Sequence, residues 1–246
     1  MQRPRFRPTT PRGAGSRGMA ATLLAAAAVL AGASGAAAST HTWIGPSGGV
    51  WSNPAHWQEG AVPTSGEPGG TIVAINSNAS STMDINGLTV DKLSFNGTNS
   101  TIDAAGKTLF INGSVALNNI DSAGAGNSLG AGLTLQTIGN SSIFVRSQAG
   151  QFTINGPIAG NRPITFTTNS LTPGTGTKLR GSSTFTGAVT VTSGELVLDN
   201  TDVNAAITGS TLQIGSGSGS GATVKLAQSL EIADATNVRV LADGTL

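Results

Sequence analysis

From Thr71 onward the chain is built of short runs in which apolar and polar residues alternate, punctuated by Gly, Asn and Ser. The clearest lies in KLRGSSTFTGAVTVTSGELVLDN (178–200), where Val189 and Val191 alternate in one run and Leu196 and Leu198 in the next. Gly187 precedes the first run and Ser193-Gly194 separates the two. β-Branched residues with a period of two suit a pleated strand with one buried face, and glycine between runs marks a turn. The same reading predicts strands at Thr71–Ile75, Leu88–Phe95, Lys107–Val115, Leu133–Ile138, Ile143–Val145, Gln151–Ile154, Ile164–Thr167, Ala188–Thr192, Glu195–Leu198, Thr211–Ile214, Thr223–Leu226 and Asn237–Leu241. Asn-Gly recurs at Asn86, Asn96, Asn112 and Asn155; both residues tolerate a positive φ, so corners or tight turns are expected there. Nothing after Ala38 sustains a helical period over three turns. The chain is read as all-β.

Two architectures accommodate a dozen short strands. A sandwich or barrel pairs them through hairpins, whereas a parallel solenoid stacks coil on coil, about 4.8 Å apart. Internal similarity favours the solenoid. GELVLDN (194–200), GSTLQIGSG (209–217) and GLTLQTIGN (132–140) share a Gly, a Leu-x-hydrophobic strand and a polar or Gly-rich corner. The spacing between these units is irregular, so the repeat is degenerate.

The first 38 residues differ from the rest. A basic stretch to Gly18 precedes an apolar, Ala-dominated run from Met19, and Ala36-Ala37-Ala38 before Ser39 fits a small-x-small cleavage site. This predicts a cleavable export signal over residues 1–38. Read as a membrane span, the run is short and interrupted by Gly32 and Ser34-Gly35. Residues 39–70 hold all three tryptophans, Trp43, Trp51 and Trp57, and form an expected N-terminal cap. Residues 71–246 are the expected solenoid.

Composition narrows the function. The formal charge of +1 rests on 13 basic and 12 acidic residues, and Arg3, Arg5, Arg7, Arg12 and Arg17 all fall in the expected signal. What remains is weakly acidic and sparsely charged, with no electrostatic footprint for nucleic acid. With no Cys there is neither a disulfide framework nor a thiolate metal site.

At this point the residues resemble a family. GSSTFTGAVTVTSGELVLDN (181–200) is similar to the autotransporter-associated β-strand repeat, whose usual form is Gly-x-Asn-Thr-Tyr-Thr-Gly-x-Thr-x-Val-x-x-Gly-x-Leu-x-Leu. Gly181, Thr184, Thr186, Gly187, Val191, Gly194, Leu196 and Leu198 fall on that pattern. Ser183 stands where the repeat has Asn, Phe185 where it has Tyr and Val189 where it has Thr. The segment from Trp43 through Gly49-Val50-Trp51-Ser52 to His56-Trp57 resembles the opening common in such proteins, with His56 in place of Asn. The resemblance implies a right-handed parallel β-helix passenger, secreted or displayed at a bacterial cell surface, with no activity implied by the repeat itself. Such proteins end in a translocating β-barrel, for which no region here qualifies. Ala242 to Leu246 reads as the middle of another repeat, so the solenoid is expected to be truncated at its C-terminus.

Candidate chemistry is thin. Lys178 and Arg180 share one strand face, as a lyase acting on a uronate would require, or simply point to solvent. Asp199 and Asp202 are either a carboxylate pair or turn residues bonding local backbone. His41 and His56 lack a carboxylate cluster for a metal site, and packing is the reading preferred. The three tryptophans either stack on a glycan or plug the first coil. GSGSGSG (215–221) has neither the Lys of a phosphate loop nor the Asp of a calcium repeat, and is read as a flexible surface loop. The expectation is a non-enzymatic structural or adhesive protein without cofactor, whose partner is an extracellular glycan or a host or neighbouring cell surface. The rivals are a secreted polysaccharide-active β-helix enzyme and a carbohydrate-binding module built on Trp43, Trp51 and Trp57.

Overall fold

The computed structural model describes residues 36–246, apart from 77, 79, 114–118, 201, 203–204 and 219–220. The basic and apolar stretches of the expected export signal therefore lie outside the described residues, as does Val115 at the end of one predicted strand. Among the described residues no helix is long and apolar enough to cross a membrane, and the single helical element is a 3₁₀ turn at Pro54–His56.

The chain is a parallel β-solenoid. Each coil lays one strand in a first sheet, one in a second and then crosses a third face before rising to the next level. The first sheet stacks Ser39–Trp43, Thr71–Ile75, Lys92–Phe95, Ile120–Ser122, Ile143–Ser147, Ile164–Thr168, Val189–Val191, Thr211–Ile214 and Asn237–Val240. The second stacks Gly49–Val50, Ser80–Thr82, Thr101–Asp103, Asn127–Leu129, Gln151–Ile154, Gly176–Leu179, Gly194–Leu198, Ala222–Leu226 and Gly244–Thr245. The third is shorter, with Leu88–Val90, Lys107–Gly113, Leu133–Gly139 and Ile158–Gly160.

Register builds the core. In the first sheet one inward column runs His41, Val73, Leu93, Ile120, Val145, Phe166, Val191 and Ile214, with the exposed Val240 in register at its end. In the second, Ser81, Ile102, Leu129, Ile154, Leu179 and Leu198 stack in the same way, with the half-exposed Leu226 in register beyond them. In the third, Leu88, Leu109, Leu135 and Ile158 do so. The period of two puts every other side chain of the covered strands inside, which is why alternation in the sequence locates so many strands. Each fully buried Val, Leu or Ile contributes about 1.5–3 kcal/mol.

Of the Asn-Gly pairs expected at corners or tight turns, Asn86-Gly87 is a turn, Gly97 and Gly156 lie in bends beyond strand ends, and Asn112-Gly113 instead ends the strand Lys107–Gly113. Gly87 lies at φ +77°, whereas Gly97, Gly113 and Gly156 do not adopt that region. At these three a neighbouring coil passes close by, the preceding one at Gly97 and Gly156 and the following one at Gly113. A Cβ on Gly156 would lie 1.9 Å from the Leu133 carbonyl oxygen. Stacking, more than turn conformation, requires glycine there.

The two ends differ. The outer edge of Ser39–Trp43 is covered by the chain returning antiparallel over residues 56–59, with Trp43 bridged to Trp57. Ile44 N–H donates to the His56 carbonyl and Gln58 N–H to the Thr42 carbonyl, both at 2.9 Å, while Thr42 N–H donates to the Glu59 carboxylate at 2.8 Å. At the other end all four residues of Asn237–Val240 are exposed.

Candidate functional site

The tryptophan segment closes the first coil from inside. Trp43, Trp51 and Trp57 are 0, 0 and 2% exposed, so none presents an open ring face of the kind that stacking on a sugar requires. Trp57 meets Trp43 and Trp51 edge-to-face with centroids 5.1 and 5.4 Å apart. Trp51 Nε1 donates to Ser81 Oγ at 3.0 Å and Trp57 Nε1 to the Trp51 carbonyl at 2.8 Å. His56 packs on Trp43 at 5.3 Å, its Nδ1 bonded to the Val50 carbonyl and its Nε2 facing the Asn53 amide. Buried His41 sets Nδ1 against the Ala61 carbonyl at 3.1 Å and Nε2 against both Glu67 oxygens at 2.9 Å. All four imidazole nitrogens are thus engaged within the segment. Burial pushes the Glu67 carboxyl up, but hydrogen bonds from His41 and Thr64 outweigh it and bring it down to about 2.

The second sheet carries the charged cluster that the sequence suggested in part. Asp199 accepts from Arg180 Nε at 3.1 Å and lies 3.5 Å from Lys178 Nζ, so the two cations share one carboxylate. Burial raises the Asp199 carboxyl, and hydrogen bonds from Gln228 and Arg180 with the charge of Lys178 hold it below the usual range. Asp202 is not drawn to Asp199 as a pair. It accepts from Ser182 Oγ at 2.8 Å, and its N–H donates to Asn200 Oδ1 at 3.0 Å, as in a turn. On the first sheet Arg146 grips Asp121 with two hydrogen bonds of 3.0 and 2.7 Å. Lys225 is paired with Glu195. These charges neutralise one another from coil to coil.

The segment resembling the repeat occupies one coil. Gly181 to Gly187 crosses the third face, Val189–Val191 enters the first sheet and Gly194–Leu198 the second. Phe185, Val191, Leu196 and Leu198 point inward and are at most 2% exposed, while Thr184 and Thr186 face out. Their N–H groups donate to the Ile158 and Gly160 carbonyls at 3.0 and 2.9 Å, continuing the third face beyond its last regular strand. The glycine-rich stretch 215–221 is only partly the free loop expected of it. Ser216 and Gly217 N–H donate to the Asp243 carboxylate at 3.2 and 2.8 Å, and 219–220 lie outside the described residues.

Two features have no counterpart in the sequence reading. Glu231 is 2% exposed, with Oε1 accepting from Asn200 N–H at 2.7 Å and Oε2 buried without a partner among the described residues. Burial pushes its carboxyl up, the Asn200 bond opposes this, and the charge of Asp199 adds to it. The other is a groove of about 480 Å³ on the third face, lined by Gln136, Asn161, Arg162, Thr184 and Thr186 among others. It forms because Leu133–Gly139 has seven residues and its neighbour Ile158–Gly160 only three, so the shorter level leaves a step. Asn161 and Arg162 stand in that step.

Compared with family models, curated proteins and solved structures, the chain matches none. The functional reading therefore rests on the fold and on these groups.

Proposed function

We propose that this chain is a non-enzymatic β-solenoid scaffold of the autotransporter-passenger type, exported and placed outside the cell in a structural or adhesive role. One observation carries the reading: the segment that resembles the passenger repeat, Gly181 to Leu198, fills one coil, with its apolar positions inward and its threonines outward. The outer faces support it, since their charges are spent on coil-to-coil pairing at Asp121, Asp199 and Glu195. Such a surface stiffens a rod and leaves few groups for acid–base chemistry.

Fractionation of native cells tests it, using antibody raised against residues 39–246. The expected result is a band in the surface or medium fraction that external protease removes from intact cells. A band confined to the cytoplasm and protected from protease would overturn the proposal.

A further inference from the structure

Many polar side chains on the outer surface of the solenoid bond to one another between coils. Thr101 pairs with Ser128 at 2.9 Å, Thr167 with Ser193 at 2.9 Å, and Asn96 Nδ2 donates to Asn76 at 2.6 Å. The third-face groove departs from this habit. Among the described residues the side chains of Gln136, Asn161, Arg162 and Thr184 make no hydrogen bond, and Arg162 has no ion pair. Lys92, Arg146, Lys178, Arg180 and Lys225 each face a carboxylate, whereas Lys107 and Arg239 resemble Arg162 in having no ion pair among the described residues, but neither lines a groove with unbonded amides. Arg162 Nε is buried with no acceptor among the described residues, while the residue as a whole is partly exposed. Its guanidinium therefore offers its outer nitrogens to whatever enters the groove.

We infer that this groove binds an anionic saccharide, with Arg162 gripping a carboxylate or sulfate and Gln136, Asn161 and Thr184 bonding the flanking hydroxyls. A guanidinium fork matches either oxyanion bidentately, and such charge-assisted pairs are about twice as strong as neutral ones. Amide and hydroxyl groups around one cation suit a polyhydroxylated ring bearing a single negative group. The volume lies within the range of about 300–1,000 Å³ usual for small-molecule sites. Thr184 also walls a second depression of about 430 Å³, which continues past Ser182 and Thr208 to Asp234. An extended ligand fits both, and a chain of sugar units is one.

The inference deepens the scaffold reading by naming what the rod holds, and it rests on that reading for the presence of extracellular glycan. Titration calorimetry with the purified full chain tests it apart from localisation. The probes are trigalacturonate, a chondroitin sulfate tetrasaccharide and neutral maltotriose. At least one anionic probe should bind saturably, more weakly at high salt, and maltotriose should not. Whichever anionic probe binds distinguishes carboxylate from sulfate. Arg162→Gln should weaken binding about tenfold or more, the loss of one charge-assisted pair, with Arg162→Lys intermediate. Arg239→Gln, on the first sheet, should change nothing, and circular dichroism should show both glutamine variants folded. Absence of saturable binding by either anionic probe, equal binding by folded Arg162→Gln, or equally tight maltotriose would overturn the inference.

Discussion

Asn127 does at one corner what a ladder of backbone bonds does along a face. Fully buried, it accepts from Ser100 N–H at 2.9 Å and donates to the Gly97 and Gly124 carbonyls at 3.0 and 2.9 Å and to Ser122 Oγ at 3.1 Å. Asn119 plays the same part nearby, donating to the Asp91 and Asn112 carbonyls and accepting from Phe144 N–H. Removing such a side chain strands buried backbone groups, which costs more than the bonds themselves were worth. Asn127→Ala should lower stability by about 3 kcal/mol in urea unfolding. Gly156→Ala should cost about 1–3 kcal/mol in the same assay, because the added methyl meets the Leu133 carbonyl and the coils must move apart. A loss below a few tenths of a kcal/mol in either variant would mean that these corners are not under the constraint described.

At the scale of elements, the closing segment over the first coil depends on an ionised carboxylate. Glu67 ties His41 to the Thr64 turn, accepting from Thr64 N–H and Oγ1 at 2.8 Å. Its carboxyl falls from an ordinary 4.5 to about 2 on folding. The folded state thus holds the charged form more tightly, and the stability this contributes is full above 4.5 and lost as the pH falls through about 2. Urea midpoints at pH 5.5 and pH 2.5 should drop less in Glu67→Gln than in the parent, with the parent the more stable at pH 5.5. Equal drops would show that Glu67 carries none of the acid sensitivity. The legibility of the elements follows their burial. First-sheet strands such as Ile164–Thr168 and Val189–Val191 place two or more apolar residues inside and were readable as alternation. Ser80–Thr82 and Asn127–Leu129 turn Ser81 and Asn127 inward over only three residues, which leaves no alternation to see. The predicted run Leu88–Phe95 is two strands, because Asp91 turns the chain from the third sheet into the first. The groove was invisible for a different reason: it arises from the unequal lengths of two stacked strands, which no local window compares.

For the whole molecule, stability is expected to vary along the stack. Each level rests only on its neighbours, so protection should follow how well a level is covered. Amide exchange should be fastest at Asn237–Val240, whose side chains are all exposed, and slowest around Ile120 and Val145 in the middle of the same sheet. Uniform protection across the nine strands would instead indicate one cooperative block. Ser39–Trp43 should exchange more slowly than Asn237–Val240, since the return of residues 56–59 covers its edge. Ile102, Leu129, Ile154, Leu179, Leu198 and Leu226 stack in succession at separations of 27, 25, 25, 19 and 28 residues. The entropy of closing a loop grows only as the logarithm of its length, so every level is closed at nearly the same cost. Relative contact order therefore falls as levels are added, and lengthening the rod adds steps of similar height to folding without raising the tallest of them.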